Sequence, residues 1–423
     1  MSEPEPTEPA EEAEAPVPLT APADGVPPVS VYANEIAEAA EFLGSGHGPF
    51  AVDAERASGF RYSNRAYLIQ IRRAGAGTVL IDPVSHGRDP LATLRPVAEV
   101  LDEDEWILHA ADQDLPCLAE LGIRPPALYD TELAGRLAGF DKVNLATMVQ
   151  RLLGLGLAKG HGAADWSKRP LPDAWLNYAA LDVEVLLELR VAIAAELEAQ
   201  NKTGWAAEEF EHLRTYEAAP TRRDRWRRTS GIHKVRTPRA LAEVRELWQV
   251  RDHIARRRDI APGRVLPDSA IVEAALADPK TVEELVALPV FGGPKQRRSA
   301  QTWLDALEAG RTTADPPQRN EPQNGPPPAV RWSKRKPEAA ARLEAARAGL
   351  AALSERVNVP AENLASPDLV RRLCWDWAAT EDPASAIEEF LRAGGARRWQ
   401  RELVVPVLTA ALTAAPDPGA DPD

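Results

Sequence analysis

The sequence predicts an α/β domain with a mixed sheet flanked by helices, followed by two all-α domains. Three observations carry this. Apolar runs at 49–55, 66–72 and 78–82 stand close together, as the strands of one sheet do. From residue 90 onward helical and strand patterns alternate, the habit of an α/β layer. Beyond about residue 217 the strand patterns stop and only helical ones remain.

Within the first unit, 29–217, the three strands lead to a helix at 90–101, a strand at 105–110, a helix at 113–121 and a strand at 127–130. Helical patterns follow in "LAGRLAG" and "NLATMVQRLLGL", then in one long run from Leu171, "LPDAWLNYAALDVEVLLELRVAIAAELEAQ". Pro172 at its start and Asp173 in its first turn suit a helix amino terminus. A basic linker at 218–236 leads to a helical domain at 237–311; a Pro-rich linker at 312–332 separates it from a second at 333–413. The two blocks read as repeats. "DIAPGRVLPDSAI" (259–271) lines up with "NVPAENLASPDLV" (358–370), and "FGGPKQRR" (291–298) with "AGGARRWQ" (393–400). Residues 1–28 are expected to be a disordered acidic Pro/Glu tail, and 414–423 a polar one.

No apolar run reaches the length of a membrane span, and the amino terminus lacks the basic and apolar regions of a signal peptide. A cytoplasmic protein without a membrane partner is the expectation. Cys117 and Cys374 are the only cysteines, too few for a disulfide framework or a cysteine-built metal site, and are expected as buried free thiols. A net charge of −14 argues against a nucleic-acid partner until its distribution is considered. The tail up to Asp24 holds seven acids and no Lys or Arg, whereas residues 221–264 hold fourteen Lys/Arg against five acids. That excess, with Trp226 and His233 interleaved, suits phosphate contact; a solvated basic helix face is the alternative.

The chemistry is concentrated in three places. "FAVDAER" is an apolar strand that ends in two carboxylates. Side chains alternate along a strand, so Asp53 and Glu55 point the same way, roughly 7 Å apart along the chain. Two like charges held there repel unless a cation sits between them. Asp-x-Glu occurs three times, as "DAE", "DTE" and "DVE", but only the first closes an apolar strand and leads into another. "WILHAADQDLPCL" is a strand ending at His109 and then a helix, where Asp112 suits a cap and Asp114 falls in the first turn. In "NYAALDVEVL", Tyr178 and Asp182 are four apart and share one helix face.

In this order the pieces resemble the ribonuclease D branch of the DEDD-type 3′–5′ exonucleases, with a tyrosine in the third motif. The likeness covers about residues 49–200: "VDAER…YLIQI", "LHAADQDL", and "YAALDVEVLLEL" preceded by "DWSKRPL". The first helical block resembles the HRDC domain shared by RecQ-type helicases and ribonuclease D, and the second is read as HRDC-like. The resemblance implies a ribonuclease H-like exonuclease domain and two divalent ions, Mg²⁺ or Mn²⁺. Asp53, Glu55 and Asp182 would hold one ion, Asp53 also the second, and Asp114 would act through its water shell. Tyr178 would position the metal-bound hydroxide, with proton abstraction the other role open to it.

Release of nucleoside 5′-monophosphates from an RNA 3′ end is the implied activity, with tRNA precursors or other structured RNA as substrates. A DNA exonuclease and a non-catalytic RNA-binding protein are the rival readings. "DAER" departs from the family's usual Asp-Thr-Glu-Phe and lacks its aromatic residue, for which Phe60, Tyr62 or Tyr67 are candidate replacements. Lys159, His161, Lys168, Arg169, Arg227, Arg228 and Lys234 are candidate phosphate contacts. His109 is expected to pack at its strand end, and the glycines of "GLGLAKGHG" (154–162) to form an ordinary loop. The helical blocks are expected to supply RNA affinity, so that a chain ending near residue 217 still folds and cleaves; the alternative is that they hold the first unit folded.

Overall fold

The structure, a computed structural model, describes residues 15–84, 90–158, 160–215, 224–319 and 325–414. Its first unit opens with strands β1 (Val17–Leu19) and β2 (Val29–Ser30), helix α1 (Ala33–Gly44), and strands β3 (His47–Arg56), β4 (Ala66–Ala74) and β5 (Gly77–Ile81). Then come α2 (Pro90–Leu101), β6 (Trp106–Leu108), α3 (Leu115–Glu120), β7 (Leu128–Asp130), α4 (Thr131–Leu137), α5 (Leu145–Leu153) and β8 (Leu155–Leu157). Helices α6 (Asp173–Glu184), α7 (Leu186–Ala199) and α8 (Thr203–Thr215) complete it.

Six strands form one mixed sheet in the order β2-β5-β4-β3-β6-β7, with β3 antiparallel to β4 and parallel to β6. β3 is therefore central, and its alternation sorts the core. Phe50, Val52 and Ala54 pack on one face with Ile36 and Leu43 of α1 and Leu94 and Val97 of α2. Ala51, on the other face, joins the core of α4, α5 and α7. Two and four residues further on, Asp53 and Glu55 share Ala51's face, which α6 crosses.

The expected tail ends earlier than residue 28. β1 pairs in parallel with β8, and the Asn177 side-chain amide donates to the Thr20 carbonyl at 2.9 Å, so residues 15–28 strap the first unit. The expected single long helix is two, α6 and α7. Glu184, at the end of α6, directs its carboxylate to Arg72 at 3.0 Å and to the Ala23 N–H at 3.1 Å. Cys117 and Cys374 are buried free thiols, and no helix among the described residues is long and apolar enough to cross a membrane.

The helical blocks repeat one architecture. The first has α9 (Pro238–Arg258), α10 (Pro262–Val265), α11 (Asp268–Ala277), α12 (Val282–Val286), α13 (Pro294–Arg297) and α14 (Ala300–Thr312). The second has α15 (Trp332–Arg335), α16 (Pro337–Val357), α17 (Ala361–Leu364), α18 (Pro367–Asp376), α19 (Pro383–Ala393) and α20 (Arg398–Thr413). α9 and α16 are both 21 residues long and both end in a left-handed cap, Asp259 and Asn358. A four-residue helix and a ten-residue helix follow each at the same offset.

The two blocks attach differently. The first has a core of its own, around Trp226, Leu247, Ile271, Phe291 and Trp303. It holds the first unit by the loop between β3 and β4. Ala261 N–H donates to the Phe60 carbonyl at 2.9 Å, Ser63 N–H to Asp259 at 2.8 Å, and the Tyr62 hydroxyl to Asp252 at 3.0 Å.

The second block shares one continuous core with the first unit, in which Leu137, Tyr129 and Phe210 pack with Leu343, Leu353 and Trp399. Trp399 stacks on Trp205 at 4.9 Å and donates its indole N–H to buried Glu209 at 3.0 Å. Lys202, also buried, donates to the carbonyls of Leu137 at 2.7 Å and Asn358 at 2.8 Å.

A chain ending near residue 217 would strip these partners and expose that core. That shared core favours the alternative reading, in which a helical block, here the second, holds the first unit folded. Trp399→Ala in the full chain should lower stability by about 3–5 kcal/mol. Urea denaturation checks this, and a loss below about 1 kcal/mol would mean that Trp399 is not part of a shared core.

Candidate active site

Three elements bring the acidic residues together. β3 ends with Asp53 and Glu55 on its α6 face, α6 presents Tyr178 and Asp182 one turn apart, and the turn after β6 delivers Asp114 to the start of α3. Carboxylate oxygens of Asp53, Glu55 and Asp182 all lie within 4.8 Å of one another. Asp114 lines the same cleft without joining that triplet, and its Oδ1 is 3.6 Å from the Arg56 guanidinium. The cleft has a volume of about 530 Å³ and is also lined by His109, Gln113, Arg136, Asn144 and Gly162.

Burial and mutual repulsion dominate the electrostatics. Burial pushes the Glu55 carboxyl up to about 10, reinforced by Asp53, Asp182 and Asp114 in turn; Arg56 opposes the shift. Burial likewise raises Asp53 to about 6. Asp114 and Asp182 are held well above the ordinary carboxylate range by burial and then by Asp53. Hard carboxylate oxygens this close, without thiolate or imidazole among the three, suit a divalent cation. The fold adds a further polar group there. Gln70 lies directly across from Asp53 on β4, fully buried, with neither end of its amide bonded to protein.

Tyr178 sits between Asp182, with which it shares a hydrogen bond, and the loop after β8. Its phenol is held above the ordinary range by burial and then by Asp182 and Glu55. A Cβ at Gly160 would overlap the Tyr178 ring, so only glycine lets the loop lie against it. His161 adds an edge contact to the same ring, 5.9 Å between centroids. Gly160 and Gly162 of "GLGLAKGHG" thus shape the wall of the cleft, a role the sequence reading missed. His109 stays at its strand end as expected, within 2.9 Å of Thr131 Oγ1, and burial pushes its imidazole down to about 4. It lines the cleft as a neutral ring at physiological pH.

Several expectations need correction. Asp112 is exposed and caps nothing; the start of its turn is held instead by Asp130, which accepts from Ala110 N–H at 3.1 Å and Ala111 N–H at 2.8 Å. Trp226 is buried in the first helical core and donates to Asp224, so its ring does not interleave with exposed arginines. Arg169 is committed to Asp82 and to the carbonyls of Tyr67, Trp166 and Lys168. Arg227 lies over Trp226 and donates to the Gln318 carbonyl.

Arg228, Lys234, Lys168 and His161 are exposed, and Lys159 lies outside the described residues. None of Phe60, Tyr62 and Tyr67 lines the cleft. Phe60 lies under Arg264, Tyr62 binds Asp252, and the Tyr67 hydroxyl faces Asp259 at 3.3 Å. The cleft residues Arg56, Gln113, Arg136 and Asn144 carried no motif that would have singled them out.

Known proteins resemble this chain along most of its length. Family models match at residues 28–198 (3′-5′ exonuclease), 240–307 (HRDC domain) and 325–412 (3′ to 5′ exonuclease C-terminal domain). A ribonuclease D of Nitrobacter hamburgensis is 30% identical over 337 residues, covering 77% of this chain and 80% of that protein. One from Bartonella henselae is 32% identical over 241 residues, covering 55% of this chain and 57% of the relative. Among solved structures, a protein from Bifidobacterium adolescentis is 36% identical with a TM-score of 0.84, covering 94% of this chain and all of that one. Escherichia coli RNase D shares the fold at a TM-score of 0.65 and 24% identity, over 92% of this chain and 99% of its own.

The raised carboxyls set a pH dependence for the metal-free protein. In the unfolded chain Glu55 ionises near its ordinary 4.5, whereas the folded site keeps its proton up to about 10. The folded state therefore binds more protons in between, and this site's contribution to stability falls as pH rises through that window. Asp182→Asn removes one repelling charge. In EDTA it should be more stable than the wild type, by a margin that widens from about pH 5 to about pH 9. Thermal unfolding across that range is the check, and a constant or shrinking margin would contradict the repulsion.

Proposed function

The chain belongs to the ribonuclease D family of 3′–5′ exoribonucleases, and from that premise we propose that Asp53, Glu55, Asp114, Tyr178 and Asp182 form its catalytic site. Its substrates, in this reading, are structured RNAs with a 3′ extension, tRNA precursors among them, trimmed in the cytoplasm to release nucleoside 5′-monophosphates. The observation that carries it is the triplet of carboxylates at the end of a central strand, Glu55 buried and Asp53 and Asp182 half-buried, inside a cleft open to a nucleic-acid end.

Asp53, Glu55 and Asp182 would hold divalent ions, Mg²⁺ or Mn²⁺, with Asp114 contributing from the cleft wall. Such ions activate water and stabilise the leaving 3′ oxygen of a phosphodiester. The remaining work falls to the chain itself. The Tyr178 phenol, held above its ordinary range, keeps its proton at neutral pH, and this favours positioning of an attacking oxygen over proton abstraction. Neutral His109 adds no charge to the cleft. The glycine loop at Gly160 and Gly162 fixes the Tyr178 ring from behind.

The direct test is digestion of matched 5′-labelled RNA and DNA strands with Mg²⁺, Mn²⁺ or EDTA. RNA should shorten from its 3′ end with either ion and not in EDTA; equal loss of a DNA strand would instead favour the DNA reading. Asp53→Asn should abolish turnover while RNA affinity survives, since most binding comes from phosphate contacts elsewhere. Near-normal turnover in that variant would remove Asp53 from the site. Asp114→Asn should be severely impaired, whereas exposed Asp112→Asn should stay within about 0.5 kcal/mol of wild-type stability and keep its activity. Reversed kinetic effects would reassign the second motif.

A further inference from the structure

Arg56 stands where the strand period should not put it. Alternation sends the residue after Glu55 to the opposite face of β3, yet Arg56 lines the cleft beside Asp53 and Glu55. The pairing of β3 with β4 is irregular at this point. Glu55 is opposite Leu68 and Arg56 opposite Ala66, so the register slips by one residue and Tyr67 is the extra residue on β4. Sheets break their ladder in this way next to functional sites.

Once there, the guanidinium is weakly engaged. It is 3.6 Å from Asp114 Oδ1 and 3.4 Å from Gln113 Oε1, longer than the 2.7–2.9 Å typical of a saturated charge-assisted contact. The other arginine of the cleft, Arg136, is held by Glu132 one turn away at 2.5 Å. The aromatic residues of the β3–β4 loop face the first helical block instead of the cleft, which leaves Arg56 as the loop-side contact for a nucleic-acid end.

We propose that Arg56 is a substrate-binding residue that grips a phosphodiester at the RNA 3′ end, leaving Asp114 to do so. This rests on the metal-dependent reading above. Charge balance supports it: two divalent ions would neutralise the four carboxylates, Arg136 is paired with Glu132, and among the described lining residues the Arg56 guanidinium is then the charge left over, equal and opposite to a phosphodiester. A planar fork of donors suits the non-bridging oxygens of that group. The departure from the family's aromatic residue thus replaces contact with a base by contact with the backbone, which recognises any nucleotide equally.

The test is a cycle between Arg56 and the substrate's charge. Two hexaribonucleotides with a 5′ fluorophore are compared, one natural and one whose terminal linkage is an uncharged methylphosphonate. Their binding to the full-length wild type, Arg56→Gln and Arg56→Lys is read by fluorescence anisotropy in Ca²⁺, before measurable cleavage, alongside mononucleotide release in Mg²⁺. Divalent ions at the carboxylates also favour a charged linkage, so the comparison is between variants: the wild type's preference for the charged end should exceed that of Arg56→Gln by about fivefold, and Arg56→Lys should recover part of the difference.

If Arg56→Gln discriminates as well as the wild type while the wild type releases mononucleotides, the phosphate contact is overturned and the exonuclease site stands. If the wild type neither discriminates nor releases mononucleotides, both readings fail. A change in thermal stability alone, with discrimination intact, would make Arg56 only a counter-ion of Asp114 and also overturn the proposal.

Discussion

The structure is organised around carboxylates crowded into one cleft, Glu55 buried and Asp53 and Asp182 half-buried, which repel one another. Asp53, Glu55 and Asp182 are fixed by backbone that cannot relax away from them. β3 is paired on both sides within the sheet, and α6 is pressed onto that sheet by the apolar residues around Trp166, Ala179 and Ala180. An isolated surface cluster would turn outward into solvent. Here the carboxylate oxygens remain within 4.8 Å, and without a cation the site answers the repulsion by holding protons that a divalent ion would displace. Arg56 offsets part of that repulsion from the rim, at a distance that leaves it free to serve something else.

Holding such a site together requires a rigid surround, and the two helical blocks provide it in unlike ways. The second extends the apolar core beneath α7 and α8, and buries Lys202 and Glu209 against its own backbone and side chains. Tyr129 and Phe210, which lie in the first unit, pack in that same core. The first block keeps its own core and grips the loop that leaves the carboxylate-bearing end of β3. Asp259, the left-handed cap of α9, accepts from Ser63 N–H and faces the Tyr67 hydroxyl and Arg65. One architecture thus serves once as foundation and once as a clamp on the approach to the site.

The acidic site was legible in the sequence because its residues obey local rules. Asp53 and Glu55 follow the period of a strand, Tyr178 and Asp182 that of a helix, and the helix at 90–101 has the bounds its pattern implied. What stayed hidden depends on contacts between distant segments. Arg56 lines the cleft where the pairing with β4 slips by one residue, which no pattern within "VDAER" records. Asp112 looked like a cap because its neighbours begin a helix, but Asp130, from the following strand, supplies that cap. Trp226 sits among arginines in the chain and inside a core in space. The strap formed by β1 was masked by acidic Pro-rich composition, although three residues pairing with β8 suffice to anchor it.

The central claim is that the fold stores carboxylate repulsion which a divalent cation relieves. Thermal unfolding of the metal-free full-length protein, titrated with Mg²⁺, measures that relief directly, because a ligand that binds only the folded state raises its stability with concentration. The wild type should unfold at progressively higher temperature as Mg²⁺ increases, and Asp53→Asn should show little of that rise. No rise in the wild type with either Mg²⁺ or Mn²⁺, or an equal rise in Asp53→Asn, would contradict the account.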